Sequence, residues 1–299
     1  MFKILAEPIY VGVMIGLIFG IISRVIMLRT DYRQYPTYPH GKIIHLSLGI
    51  IAAGLGAIVI PALLAKEYTA VTFLALAAQQ FREVRNMERE TLKNIDENEL
   101  VPRGAMYIEG IAMVFEGRNY LVIFSALIAS MFTILFAWYW GVIAGILSLF
   151  VAKFFRSGKS ISHIAEVELG EVSINGPNLF VDHIQMMNIG LQQNKQIIQK
   201  HGVGLLIKPK NKNAKVTISS PGQRQAIIHN LSTIMGVYRD SDEPALVPMA
   251  KIDLDSGNVA VFILPREKNP DQIIQVVKGA PLLESSVRLP SESKRKGGR

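Results

Sequence analysis

Asp255-Ser256-Gly257-Asn258 is the stretch of this chain that comes nearest to a catalytic motif. In an Asp-Ser-Gly triplet the small residues let the carboxylate approach a second carboxylate and share one proton with it, the chemistry of aspartic proteolysis. The same residues sit between two alternating apolar stretches, 251–254 and 258–264, where Asp, Ser, Gly and Asn equally make a hairpin turn. Length favours the turn. Only 44 of the 299 residues follow Asp255, whereas a retroviral-type protease fold needs most of its domain, including the flap, after the motif. Asp182 lies at a better point of the chain but reads Asp-His-Ile without the glycine, so it is read as a surface or capping residue. Asp255, and more weakly Asp182, are the candidate catalytic carboxylates.

Other reactive types are sparse. Glu109 and Glu116 are seven apart and share a helical face, flanked by Arg103 and Arg118 and surrounded by Met106, Ile108, Ile111, Met113, Val114 and Phe115. A carboxylate in such an apolar setting is a functional candidate, and pairing with an arginine or capping a helix end is the structural alternative. His45 lies about one turn inside an apolar run, a depth that suits an interfacial hydrogen bond. Lys208, Lys210, Lys212 and Lys215 precede a helix start at Ser220 and could meet an anion such as phosphate, although a solvated basic loop accounts for them as well. His163, His183, His201 and His229 lack metal-ligand spacing, and neither a His-Glu-x-x-His nor a Gly-x-Ser-x-Gly segment occurs. With no cysteine, a disulfide framework, a thiolate zinc site and a cysteine nucleophile are excluded. No metal or cofactor is expected.

The elements that position these residues follow from composition. The chain is 49% hydrophobic and 19% charged, against about a quarter charged in an average soluble domain. Residues 1–155 hold 13 Lys/Arg and 11 Asp/Glu, and residues 156–299 hold 19 and 13, so the net charge of +8 divides into +2 and +6. A bilayer span takes roughly 17–25 mostly apolar residues. Runs at 9–27, 43–64, 120–137 and 140–155 meet or approach that length, and 68–81 is a shorter fifth. Trp138, Tyr139 and Trp140 mark an interfacial hairpin. With five spans and the N-terminus outside, the inside segments carry 13 Lys/Arg and the outside ones only Lys3 and Lys66, as the positive-inside rule requires. Gly12, Gly16 and Gly20, with Gly141 and Gly145, form small-residue stripes that close helix packing, a homodimer being their second use.

The expected architecture is a membrane all-α bundle of about five transmembrane helices (1–155, with a cytoplasmic loop at 82–118), then a cytoplasmic α+β domain (156–284) and a disordered basic tail (285–299). Residues 82–95 should continue the third span as a mixed-charge amphipathic helix. In the second half, 164–174 reads as a strand, 179–201 mainly as helix, 203–207 and 215–218 as strands. A capping box at Ser220-Pro221-Gly222-Gln223 opens a helix, and a last helix starts at Asn269-Pro270-Asp271. The tail can touch anionic headgroups. Nucleic acid is not expected, because no aromatic platform accompanies the basic residues.

Tyr107–Ala112 reads Tyr-Ile-Glu-Gly-Ile-Ala. In this hexapeptide, and in a multi-span layout with a trailing polar domain, the chain resembles the YIEGIA family, membrane proteins of endospore-forming bacteria. Tyr107, Glu109 and Gly110, with Glu116 beyond, are the motif residues to follow. The resemblance implies a role in sporulation or in spore dormancy and germination, at the cell or spore inner membrane, and supplies no catalytic residues. The layout is also similar to that of a sporulation-type aspartic protease with five spans, whose active site would be completed by dimerisation. Two functions therefore stand side by side. One is a membrane anchor for a partner-binding or regulatory domain, and the other is a membrane-anchored aspartic-type protease acting on spore proteins.

Overall fold

A computed structural model describes residues 8–35, 39–154, 158–238 and 246–287. The chain divides into two compact units: Met1–Thr91 with Ile111–Ser157, and Leu92–Gly110 with Gly158–Arg299. Most of the expected tail lies outside the described residues.

The first unit is helical. It contains α1 (Pro8–Asp31), α2 (Pro39–Leu64), most of α3 (Tyr68–Asp96), most of α4 (Ala105–Leu135) and α5 (Trp138–Phe154). Among the described residues three helices, α1, α2 and α4, are long and apolar enough to cross a membrane, and α5 is a shorter apolar helix. α3 is one continuous helix, apolar in its first half and charged in its second. α4 and α5 are separated by only Phe136 and Ala137, so Trp138, Tyr139 and Trp140 fall in the first turn of α5 and are exposed.

Glycines set the helix spacing in this unit. A Cβ on Gly20 would lie 2.6 Å from Ala53 Cβ of α2, and one on Gly16 would lie 2.6 Å from the Ala126 carbonyl of α4. Gly12 packs on Ile134, Gly145 on the Phe19 ring and Gly141 on Thr133. Such approaches supply packing energy where no water drives association. Large apolar side chains, among them Ile18, Phe124, Leu147 and Phe150, face outward.

The second unit is α+β. A short helical turn, α6 (Ile161–Ile164), leads into β1 (Ala165–Gly170), β2 (Val172–Asn175), β3 (Asn178–Val181), β4 (Ile184–Asn188), α7 (Gln192–His201), β5 (Val203–Pro209), α8 (Lys212–Ser219), α9 (Pro221–Met235), β6 (Met249–Ile252), β7 (Val259–Ile263) and α10 (Pro270–Gly279). One antiparallel sheet has the order β1-β5-β7-β6 and the other is the meander β2-β3-β4. Alternation explains the layering. Leu205, Ile207, Val259, Val261 and Ile263 pack with Ile227 and Leu231 of α9 and with Ile273 and Val277 of α10. Their neighbours Leu206, Ala260 and Phe262 pack with Leu179, Val181, Ile184 and Met186 of the smaller sheet and Ile198 of α7. The central strands are buried on both faces and so read as continuous apolar runs.

Four expectations are corrected. The strand at 164–174 is two strands in different sheets, separated at Glu171. Residues 179–201 are helical only from Gln192. Before that, Leu179/Val181 and Ile184/Met186 alternate into the core as β3 and β4. The strand at 215–218 is helix α8, because Asn211 accepts a hydrogen bond from the Ala214 N–H and starts the turn while Val216 points outward. Ser220 makes no side-chain cap. Gln223 is instead fully buried, donating to the Pro281 carbonyl (3.1 Å) and accepting from the Leu283 N–H (2.7 Å).

Candidate functional site

The largest concentration of buried charge lies where α1 ends and α2 begins. Arg24 of α1 has no solvent exposure. Its Nη1 donates to Asp31 Oδ2 (3.2 Å), its Nε to the His45 carbonyl (3.3 Å), and the guanidinium covers the Phe115 ring at 4.4 Å. Gly49 of α2 leaves the space through which the arginine stem passes. Arg118 of α4 donates to the other oxygen of Asp31 at 3.1 Å, so one carboxylate joins two arginines.

On the second side, His45 Nε2 lies 3.4 Å from Glu88 Oε1 of α3, and the Tyr35 hydroxyl donates to Glu88 Oε2 at 2.6 Å. Tyr32 stacks on His45, and Tyr35 meets it edge-on. The two permanent cations are balanced by two carboxylates, which is what makes burial tolerable. Among the described residues Arg24 Nη2, the Tyr32 hydroxyl, His45 Nδ1 and Asn119 Oδ1 are buried with no hydrogen-bond partner, so the cluster retains polar capacity. Chemically it is a charge-balanced clamp across four helices rather than a nucleophile paired with a base.

Arg24 and His45 were visible as polar residues in apolar runs. In the sequence Arg118 is marked only as a flank of Glu116, and Asp31, Tyr35 and Glu88 carry no assignment. Their signal is that each hidden charge in a span needs an opposite charge nearby, and α3, whose second half reads as a mixed-charge amphipathic helix, supplies one.

The hexapeptide opens α4 as part of one long helix, not as a separate interfacial or re-entrant piece. Asp96 starts that helix by accepting from the Arg103 N–H (2.6 Å) and the Gly104 N–H (3.1 Å), with Gly104 at φ +84°. The buried Tyr107 ring meets His229 of α9 edge-on, and its N–H donates to Gln225 (3.1 Å). Gly110 is closed in by Leu283 and Ser285, where an added Cβ would sit 2.5 and 2.6 Å away. Arg103 pairs with Glu99 (3.1 Å) and Asp96 (3.5 Å), and His229 Nε2 lies 3.7 Å from Glu99. Burial, then the Arg103 charge, lower the His229 pKa against the opposing pull of Glu99 and Asp96. Glu116 belongs to the first unit and meets Arg85 at 3.6 Å, while Glu109 belongs to the second.

Asp255 stands at the tip of the β6–β7 hairpin and is exposed. The turn is organised by Asp253, whose carboxylate accepts from the Asp255 and Ser256 N–H groups and from the Ser256 hydroxyl. These bonds hold its pKa down at about 2, the Ser256 hydroxyl contributing most. Gly257 adopts φ +78°, beneath the Lys215 side chain. Asp182, at φ +52°, caps the corner between the sheets. Its Oδ1 accepts from the Glu171 N–H, and its own N–H returns to the Glu171 carbonyl, both at 2.8 Å.

Three of the four lysines take separate partners. Lys208 pairs with Glu168, Lys210 donates to the Ser162 carbonyl and Lys215 to the Asp255 carbonyl. Among the described residues no group of three His, Asp or Glu is arranged to hold a metal ion.

No solved structure matches the chain. A curated relative, "Uncharacterized protein YphB" of Bacillus subtilis (strain 168), is 53% identical over 277 residues, covering 93% of each chain. The family model described as "YIEGIA protein" matches residues 12–293. With its hexapeptide built into the start of α4 and the match running through both units, this chain belongs to the YIEGIA family.

Proposed function

We propose that this protein is a polytopic membrane protein of spore-forming bacteria that holds a partner-binding, regulatory domain at the cytoplasmic face of the cell or spore inner membrane during sporulation or spore dormancy. The observation that carries the reading is the surface of the first unit. Its large apolar side chains face outward over a core closed by glycine packing and buried ion pairs, the reverse of a soluble bundle. Five spans, with the first half of α3 and α5 added to the three long apolar helices, put the N-terminus outside and residues 158–287 inside by the positive-inside rule. Family membership supports the sporulation role.

The test is a deletion strain. Sporulation or germination should be impaired, full-length protein should restore it, and residues 1–157 alone should not. Rescue by the bundle alone would contradict a working cytoplasmic domain. The exposed Asp255, in a turn organised by a neighbouring aspartate, supports the anchoring role over proteolysis.

A further inference from the structure

Between the edge strands of its two sheets the second unit carries a groove of about 500 Å³. Ile184 and Gln185 of β4 line it with His183. Lys251 and Ile252 of β6 line it with Asp253 and Leu254, and α9 adds Arg224. Arg224 spends Nη1 on the Ala250 carbonyl (3.1 Å), and among the described residues its buried Nε has no partner. Lys251 donates to the Gln185 carbonyl (3.1 Å). Neither is in an ion pair among the described residues. The acidic side chain in the groove, Asp253, is turned to its own turn and to His183 (3.4 Å).

Burial also lowers the Arg224 pKa, the mark of a guanidinium kept from water without compensation. A planar fork beside a lysine is suited to a carboxylate. Leu254 is 81% exposed and, with the half-buried Ile252, offers apolar surface beside the charges. One backbone position of β6 faces the groove side besides Ala250, whose carbonyl Arg224 holds. Asp253 donates across the hairpin to Asn258 (2.8 Å), so by antiparallel alternation Ala250 and Ile252 turn their N–H and C=O groups away from β7.

We propose that this groove binds an acidic segment of a partner protein, with one carboxylate on Arg224 and Lys251, a neighbouring apolar side chain on Ile252 and Leu254, and the segment's backbone beside Ile252 of β6. The inference gives a ligand chemistry to the partner-binding role and rests on it.

The experiment is fluorescence anisotropy on the full chain in neutral detergent. The probe is a labelled, acetylated Glu-Leu-Glu-Leu-Glu peptide, compared with its Gln-Leu-Gln-Leu-Gln counterpart. The acidic probe should bind, and the neutral one about tenfold or more weaker. Arg224→Gln and the surface variant Lys251→Gln should each weaken the acidic probe by about tenfold. Lys195→Gln, whose amine bonds the Gly176 carbonyl, should not. Equal binding of both peptides, no binding, or full binding by Lys251→Gln overturns the proposal. So does a groove that binds no probe but whose variants abolish self-association in light scattering, since that assigns it to a second copy. Absence of probe binding leaves the anchoring role untouched, because that role is judged by the truncation strain.

Discussion

Glu88 holds two partners at once, the His45 imidazole and the Tyr35 hydroxyl, at a depth where neither has water to fall back on. Glu88→Ala is predicted to cost about 3–5 kcal/mol, the usual penalty for removing one member of a buried pair, read as a lowered thermal midpoint of the purified protein in detergent. An unchanged midpoint would show that the cluster carries no stability. In the second unit, Asp253 and Asp255 are two apart but differ in role. Asp253→Ala should loosen the hairpin, seen as faster amide exchange at Ser256, whereas Asp255→Ala should keep both fold and sporulation. Loss of sporulation with normal protein levels in Asp255→Ala would revive the protease.

His229 gives the pH dependence. Its folded pKa lies below the unfolded value of about 6.5. Its contribution is therefore complete above about 6.5 and lost as pH falls toward the lowered folded value. His229→Gln should flatten the acid side of the stability profile below about pH 6.5, and an unchanged profile would contradict the assignment.

At the level of elements, packing tolerances are tight where glycines meet neighbours. Gly20→Leu would drive a side chain into Ala53 and Ala126 and should destabilise the bundle by about 1–3 kcal/mol, measured by thermal unfolding in detergent. Wild-type stability would show that α1 and α2 can separate freely. Legibility in the sequence followed the same physics. β5 and β7 were readable because burial on both faces leaves an apolar run, and the β6–β7 hairpin because its turn residues are local. β3 and β4 escape the sequence reading because strands of four and five residues, one with two methionines, look helical until the partner strand is known. α8 was misread because β-branched Val216, Thr217 and Ile218 outweighed a helix start at Asn211, a side-chain bond that composition does not reveal. The buried cluster was half legible. Polar residues in apolar runs announce themselves, but Glu88 is distinguished from its charged neighbours on α3 only by tertiary contact.

For the whole molecule, the net charge of +8 is a statement about topology. In the proposed five-span arrangement the basic flanks gather on one side, and the +6 half carries the groove cations. The absence of cysteine makes this directly measurable. Single variants Glu67→Cys, Lys93→Cys and Lys195→Cys can be exposed to a membrane-impermeant maleimide on intact cells and again after permeabilisation. Glu67→Cys should label on intact cells, and Lys93→Cys and Lys195→Cys only after permeabilisation. Labelling of Lys195→Cys from outside, or protection of Glu67→Cys on intact cells, would contradict a bundle that anchors its α+β domain in the cytoplasm.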